Sequence, residues 1–265
     1  SAPEIALPGE NFNTIIWSGE SGNPARDFTG VGFQPDLVWV KGRNDTWQHL
    51  FSDSVRGSNK IIYSDTTAAE VTDANNGYLD SFDSDGFSTV EGSSNNGQYN
   101  GDGDTFVGWN WKAPTSFDPT SDGTIAVASG KSNATAGFSI VTYTGEYAVK
   151  TIGHGLSVAP EFIFIKNRSS VLEWKVYNAT IGNAQVVYLN ATDSAQTGAT
   201  SWDTTTPSPS VFTIGANTGV NENTSLFVAY CFHSVEGYSK VGSYEGNGNN
   251  DGTFVYTGFR PMWVM

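Results

Sequence analysis

The stretch VGFQPDLVWVKGR, Val31 to Arg43, returns later in the chain as HGLSVAPEFIFIKNR, His154 to Arg168. Each version has a glycine, a proline, an acid, four apolar residues, a lysine, a small residue and an arginine. The proline stands where a strand tolerates one, at its head, and the unbroken apolar run suits a strand covered on both faces. The end of the chain, TGFRPMWVM from Thr257 to Met265, opens the same phrase a third time, so Pro35, Pro160 and Pro261 mark three starts.

The neighbours of the phrase recur in the same order. IIWSG (Ile15 to Gly19), VTYTG (Val141 to Gly145) and GSYEG (Gly242 to Gly246) precede it. NKIIYSDTT (Asn59 to Thr67) and AQVVYLNAT (Ala184 to Thr192) follow it, and FVGWNWK (Phe106 to Lys112) and FVAYCFH (Phe227 to His233) close the two full copies. Four anchors in a fixed order predict a tandem duplication. The expected organisation is a first unit over residues 1–113, a linker over 114–124 rich in Pro, Ser and Asp, and a second unit over 125–237. Residues 238–265 then read as the truncated start of a third unit, with a strand completing the second as the alternative.

Within each unit the apolar runs are short, β-branched or aromatic, and separated by glycine and asparagine turns. The expected fold class is all-β, two tandem antiparallel β-sandwiches of jelly-roll-like type. The closing strand alternates: Val107, Trp109 and Trp111 share a bulky face expected to form core, and Gly108 and Asn110 share a small face that something can approach closely. The segment Asp65 to Gly77 is the best helical candidate, good for one short turn with Asp65 as its cap.

A chain of 265 residues and 28.4 kDa, with 8 Trp, 11 Tyr and 16 Phe, carries enough apolar surface to bury a real core. Its 27 acidic against 13 basic residues give a formal net charge of −14, which repels a phosphate backbone and excludes nucleic acid as a partner. A single cysteine, Cys231, rules out an internal disulfide framework, and it reads as a small packed residue in a strand. No apolar run approaches membrane-spanning length, so no membrane insertion is expected.

Catalytic motifs are missing. There is no G-x-S-x-G elbow, and the three histidines, His49, His154 and His233, stand at no zinc-ligand spacing. DSDGF (Asp83 to Phe87) and NGDGD (Asn100 to Asp104) gather oxygen donors beside glycine. Asx turns between strands are the first reading of Asp83, Asp85, Asp102 and Asp104, and calcium is the one metal they suit; no other cofactor is implied. Trp47 in RNDTWQH and Trp202 in ATSWDTTTP lie outside the clear strands and are the candidate sugar platforms, beside the alternative that each is partly buried.

The combination of GFQPDLVWVKGR, DSVRG (Asp53 to Gly57), SFDSDGF (Ser81 to Phe87) and FVGWNWKA, with WKVYN and SWDTTTPSPSVFTIG (Ser201 to Gly215) in the second unit, resembles a repeated domain of uncharacterised function in large tail-fibre-type virion proteins of marine bacteriophages. The resemblance spans the chain from about Phe12 to Met265. One departure is ATIG (Ala179 to Gly182) in the second unit where the first has SVRG, so Arg56 has no counterpart. The resemblance implies no catalytic residues. It implies a non-enzymatic structural or adhesion protein located on the virion, outside the cell, a segment of a tail fibre or capsid-attached appendage. Its partners would be other virion proteins, further copies of itself and a host-surface glycan. The alternatives are a secreted carbohydrate-binding or polysaccharide-cleaving module and a purely architectural spacer.

Overall fold

The computed structural model describes Ile5 and residues 7–265. The first unit comprises β1 (Phe12–Ser18), β2 (Arg26–Thr29), β3 (Leu37–Gly42), β4 (Leu50–Asp53), β5 (Lys60–Tyr63), β6 (Val71–Thr72), β7 (Tyr78–Asp83), β8 (Gly86–Val90), the single turn α1 (Gly97–Asn100) and β9 (Thr105–Trp111). The second comprises β10 (Thr115–Phe117), β11 (Ala128–Asn133), β12 (Phe138–Thr144), β13 (Lys150–Gly153), β14 (Phe162–Asn167), β15 (Lys175–Asn178), β16 (Gln185–Tyr188), β17 (Gln196–Thr197), α2 (Ala199–Trp202), β18 (Val211–Ile214), α3 (Thr218–Asn221) and β19 (Leu226–Phe232). The fold is all-β and its strand pairs are antiparallel.

One strand order appears twice. The first large sheet runs β1-β9-β3-β4-β5-β6, and the second runs β12-β19-β14-β15-β16-β17 with β10 and β11 added outside β12. Facing them are the small sheets β2-β8-β7 and β13-β18. The repeated phrase lies in the same place in both copies. After Pro35, the Asp36 N–H donates to the Trp111 carbonyl at 2.7 Å; after Pro160, the Glu161 N–H donates to the Phe232 carbonyl at 2.8 Å. At the far end, the Arg43 and Arg168 N–H groups donate to the Thr105 and Leu226 carbonyls at 2.6 and 2.7 Å.

The sheets form four layers with three cores between them. Trp17, Phe28, Val38, Val40, Leu79, Phe87 and Phe106 fill the space between the first large sheet and its small partner. Ile152, Ile163, Ile165, Trp202, Phe212, Ile214 and Phe227 do the same in the second unit. The third core lies between the two large sheets: Leu37, Trp39, Phe51 and Trp111 meet Phe138, Phe164, Trp174, Val228 and Tyr230. Both faces of each large sheet are therefore covered, which is why Leu37 to Val40 are buried without alternation.

This layering revises the reading of the closing strand. The bulky face carrying Trp109 and Trp111 belongs to the core shared between units, and Phe106 on the small face points into the unit's own core. Something does approach that face closely: a Cβ added at Gly108 would come within 3.0 Å of the Trp17 ring.

Polar contacts fix how the units meet. The buried Arg56 guanidinium pairs with Asp53 and with Glu70, and donates to the Phe51 carbonyl at 2.9 Å. From the other unit, the Tyr230 hydroxyl donates to Asp53 at 2.6 Å, and Arg168 grips both Glu70 oxygens at 2.8 and 2.9 Å. Lys131 reaches across to Asp36 at 2.8 Å, and the Trp174 indole N–H donates to the Tyr63 carbonyl at 2.8 Å.

Three expectations need correcting. Asp65 to Gly77 forms no helix: Val71 and Thr72 pair with Ile61 and Lys60, and Glu70 is held by the two arginines. The segment 114–124 is not a bare tether, because β10 pairs with β11 and Phe117 packs against the second unit's core. Residues 240–265 contain no strand, so they complete neither large sheet.

Candidate functional site

At one end of the first unit the β3–β4 connection is folded by its own polar groups. The Lys41 ammonium, at the end of β3, turns onto the Gly42 and Asp45 carbonyls at 2.6 and 3.2 Å. The Asp45 carboxylate accepts the Trp47 N–H at 2.8 Å, an Asx turn that sets the direction of the indole. Asn44 ties this loop to the turn before β9: its side chain donates to the Gly103 carbonyl at 3.1 Å and accepts from the Thr105 N–H at 2.7 Å. The Asp102 N–H is held in turn by the Asn23 side chain at 2.8 Å.

The result is a cluster of Trp47, Asp45, Asp102 and Asp104 on neighbouring loops. The Trp47 ring is half-buried over Gly97, where an added Cβ would lie 3.6 Å from Cζ2. Gly97's carbonyl and the Asp104 carboxylate converge on Gly101, and the absent side chain of Gly101 makes that approach possible. Burial, the charges of Asp45 and Asp102, and a hydrogen bond to Asp45 all hold the Asp104 carboxyl above the ordinary aspartate range. Beside the loop, burial pushes His49 down, partly offset by the Asp65 charge.

The six residues singled out from sequence thus separate. Trp47, Asp102 and Asp104 come together, joined by Asp45, which sequence reasoning missed although its place two residues before Trp47 is the mark of an Asx turn. Asp83 and Asp85 lie in the β7–β8 hairpin, away from this cluster. Asp85 is occupied there by the Gly30 and Gly32 N–H groups at 3.1 and 2.6 Å, and Asp83 accepts from Ser81 at 2.7 Å. Among the described residues no group of three or more His, Cys, Asp or Glu is arranged to hold a metal ion.

Trp202 cannot serve as a sugar platform. It is 2% exposed, sits in α2 against Tyr177, and its indole N–H donates to the Gln185 carbonyl at 2.9 Å. An aromatic ring at that depth has no face left to offer. Cys231 is fully buried and burial pushes its thiol up to about 12, which suits a packed side chain and not a nucleophile.

In the second unit the matching loop, 168–174, is spent on docking. Lys166, the counterpart of Lys41, donates to the Leu172 carbonyl at 2.7 Å and also to the Thr67 carbonyl of the first unit at 3.0 Å, while Arg168 binds Glu70. The aromatic and acidic loop end is therefore a feature of the first unit. No helix among the described residues is long and apolar enough to cross a membrane. No curated protein and no solved structure matches the chain. A family described as a domain of unknown function, DUF7483, matches residues 7–265, through both strand sets and the C-terminal segment, and the chain belongs to that family.

Proposed function

We propose that this chain is a non-enzymatic structural and adhesion segment of a bacteriophage virion, of the tail-fibre or capsid-appendage type, and that the Trp47 end of its first unit meets a host-surface glycan. The observation that carries the adhesive part is the half-buried Trp47 ring, beside Asp45, Asp102 and Asp104 on loops tied by hydrogen bonds. An aromatic face packs on the C–H face of a sugar, and carboxylates accept its hydroxyls. The phage context is supported by the resemblance of the repeated phrases alone.

Cleavage is the weaker reading: Asp45 sits beside Asp104 and raises its carboxyl, whereas a glycosidase sets its two carboxyl groups about 5 Å or more apart, on either side of the bond. The test is a panel of bacterial surface polysaccharides presented to the full chain. Binding without release of reducing sugar, reduced at least tenfold in Trp47→Ala, is the expected result. Turnover of any polysaccharide, or a Trp47→Ala chain that binds as well as the parent, overturns the proposal.

A further inference from the structure

The two large sheets differ at one edge. In the second unit β12 is paired along its outer side by β11, with β10 beyond it, whereas its counterpart β1 is the outermost strand of the first sheet. The two strands match position for position against the closing strands on their inner side: Phe12 pairs with Trp111 as Phe138 pairs with Phe232. The Ser18 carbonyl points outward, where the Arg26 side chain takes it at 2.7 Å, just as the Thr144 N–H points outward to the Val127 carbonyl at 3.1 Å. Alternate residues of an antiparallel strand share that direction, so the Ile16 N–H and carbonyl also face out. Among the described residues they have no partner.

The surface beside this edge is open in the first unit and filled in the second. A Cβ added at Gly155 would come within 2.9 Å of the Phe117 ring, and one at Gly153 within 2.8 Å of the Pro119 carbonyl. At their counterparts Gly32 and Gly30 nothing among the described residues lies within 4 Å. The chain ahead of β1 leads elsewhere, since Ile5 packs with Ala136 and Val235 of the second unit. Nor does β1 carry the features that keep an edge unpaired, namely shortness, charge, proline or a bulge. It has seven residues in unbroken register, with no charge and no proline, and Ile16 is 68% exposed. The other outer strands are two to four residues long or, in β7, bulged and acidic.

We propose that the outer edge of β1 is a docking site for an extended strand of a partner polypeptide, seated antiparallel as β11 is on β12, with an aromatic ring over Gly32 where Phe117 lies over Gly155. The backbone of β1 supplies the hydrogen bonds, and the side chains beside it set what the partner carries. Carried over from β12, the register places small residues like Ala128 and Gly130 opposite Trp17 and Ile15, and polar ones like Ser129 and Lys131 opposite Ile16 and Thr14. A second copy does not fit this pattern. Its β1 would bring Ile15 and Trp17 where small residues are needed, and its β10 and β11 are already built into its own sheet. The inference rests on the edge of β1 and is independent of the glycan proposal.

The experiment uses the full chain and a labelled peptide of residues 114–133, which carries the required pattern. Saturable binding is expected, with slower amide exchange at Ile16. It is expected to weaken several-fold when the peptide carries Phe117→Ala, and to vanish when the peptide's Ser129 and Lys131 nitrogens, which face the edge, are methylated. In the protein, Ile16→Pro removes the outward N–H at an edge position where proline is tolerated. That chain is expected to keep its circular-dichroism spectrum and bind at least tenfold more weakly. No saturable binding up to millimolar peptide, binding that methylation or a folded Ile16→Pro chain leaves unchanged, or dimerisation of the chain through β1 overturns the proposal.

Discussion

Arg56 contacts two carboxylates and a carbonyl, and each carboxylate is also held by the opposite unit: Asp53 by the Tyr230 hydroxyl, Glu70 by Arg168. A buried charge left alone is expensive, so Arg56→Ala, which strands Asp53 and Glu70, is expected to cost about 3–5 kcal/mol in urea unfolding. The same network gives a pH dependence. Burial alone would raise the Glu70 carboxyl, but the hydrogen bonds and charges of Arg168 and Arg56 outweigh it and hold Glu70 below the ordinary glutamate value. A depressed carboxyl contributes stability above its unfolded pKa and loses it as pH falls through the folded one. Stability is therefore expected to drop below about pH 4.5, the unfolded glutamate value, with a shallower drop in Glu70→Gln. Lys166 adds a dependence of the same sign in the alkaline range, from a different cause: burial lowers its ammonium to about 8. Between that value and the unfolded 10.5 the unfolded chain binds more protons, so this residue makes stability rise with pH there, and Lys166→Met is expected to remove that rise. Sequence showed that Arg56 has no counterpart in ATIG, but not why, because Tyr230 and Arg168, which hold its carboxylate partners from the other unit, lie far along the chain. The contrast between Trp47 and Trp202 was equally invisible, since two tryptophans flanked by polar residues differ only in what folds over them.

The closing strands β9 and β19 sit between two others in their sheets and carry the alternation that sequence makes plain. What alternation cannot say is which partner each face meets. Period two separates faces, and in a sheet covered on both sides both faces are buried. The strands themselves, their proline heads and the double occurrence of one strand order were legible because turn residues and apolar runs are local signals. The third core was not, because it depends on two large sheets meeting face to face. Asp65 to Gly77 was misread for a related reason: its helical propensity is overridden by pairing with β5 and by Glu70's long-range partners. The small face of β9 offers a direct check on the packing. Trp17 lies on Gly108, so Gly108→Val must displace the indole and is expected to cost about 1–3 kcal/mol, with a changed near-ultraviolet circular dichroism. In β19 the equivalent position already carries Ala229, and Ala229→Gly is expected to have the smaller effect.

At the scale of the whole molecule the question is whether the duplicated units unfold separately. Each has a core of its own, which alone would allow two independent transitions. The shared core argues otherwise. Trp174 from the second unit is fully buried, stacks edge-on to Phe51 of the first at 5.5 Å and donates to the Tyr63 carbonyl. Phe51 in turn meets Tyr230 at 5.4 Å, and Trp111 meets Phe138 and Phe232. A first unit unfolding alone would leave the inner faces of β14, β15 and β19 in water together with the unpaired Arg168, and the second unit would impose the same loss on the first. Calorimetry of the full chain is therefore expected to give one transition whose calorimetric and van't Hoff enthalpies agree. Trp174→Ala, which opens the shared core, is expected to lower stability by about 3–5 kcal/mol and to loosen both units together, seen as faster amide exchange in β3 and β4 as well as in β14 and β15. Two resolved heat-capacity peaks, or exchange confined to the second unit, would mean that the seam is only a contact between independent sandwiches. The mutual burial of Phe51, Trp174 and Tyr230 leads us to expect a single cooperative body instead.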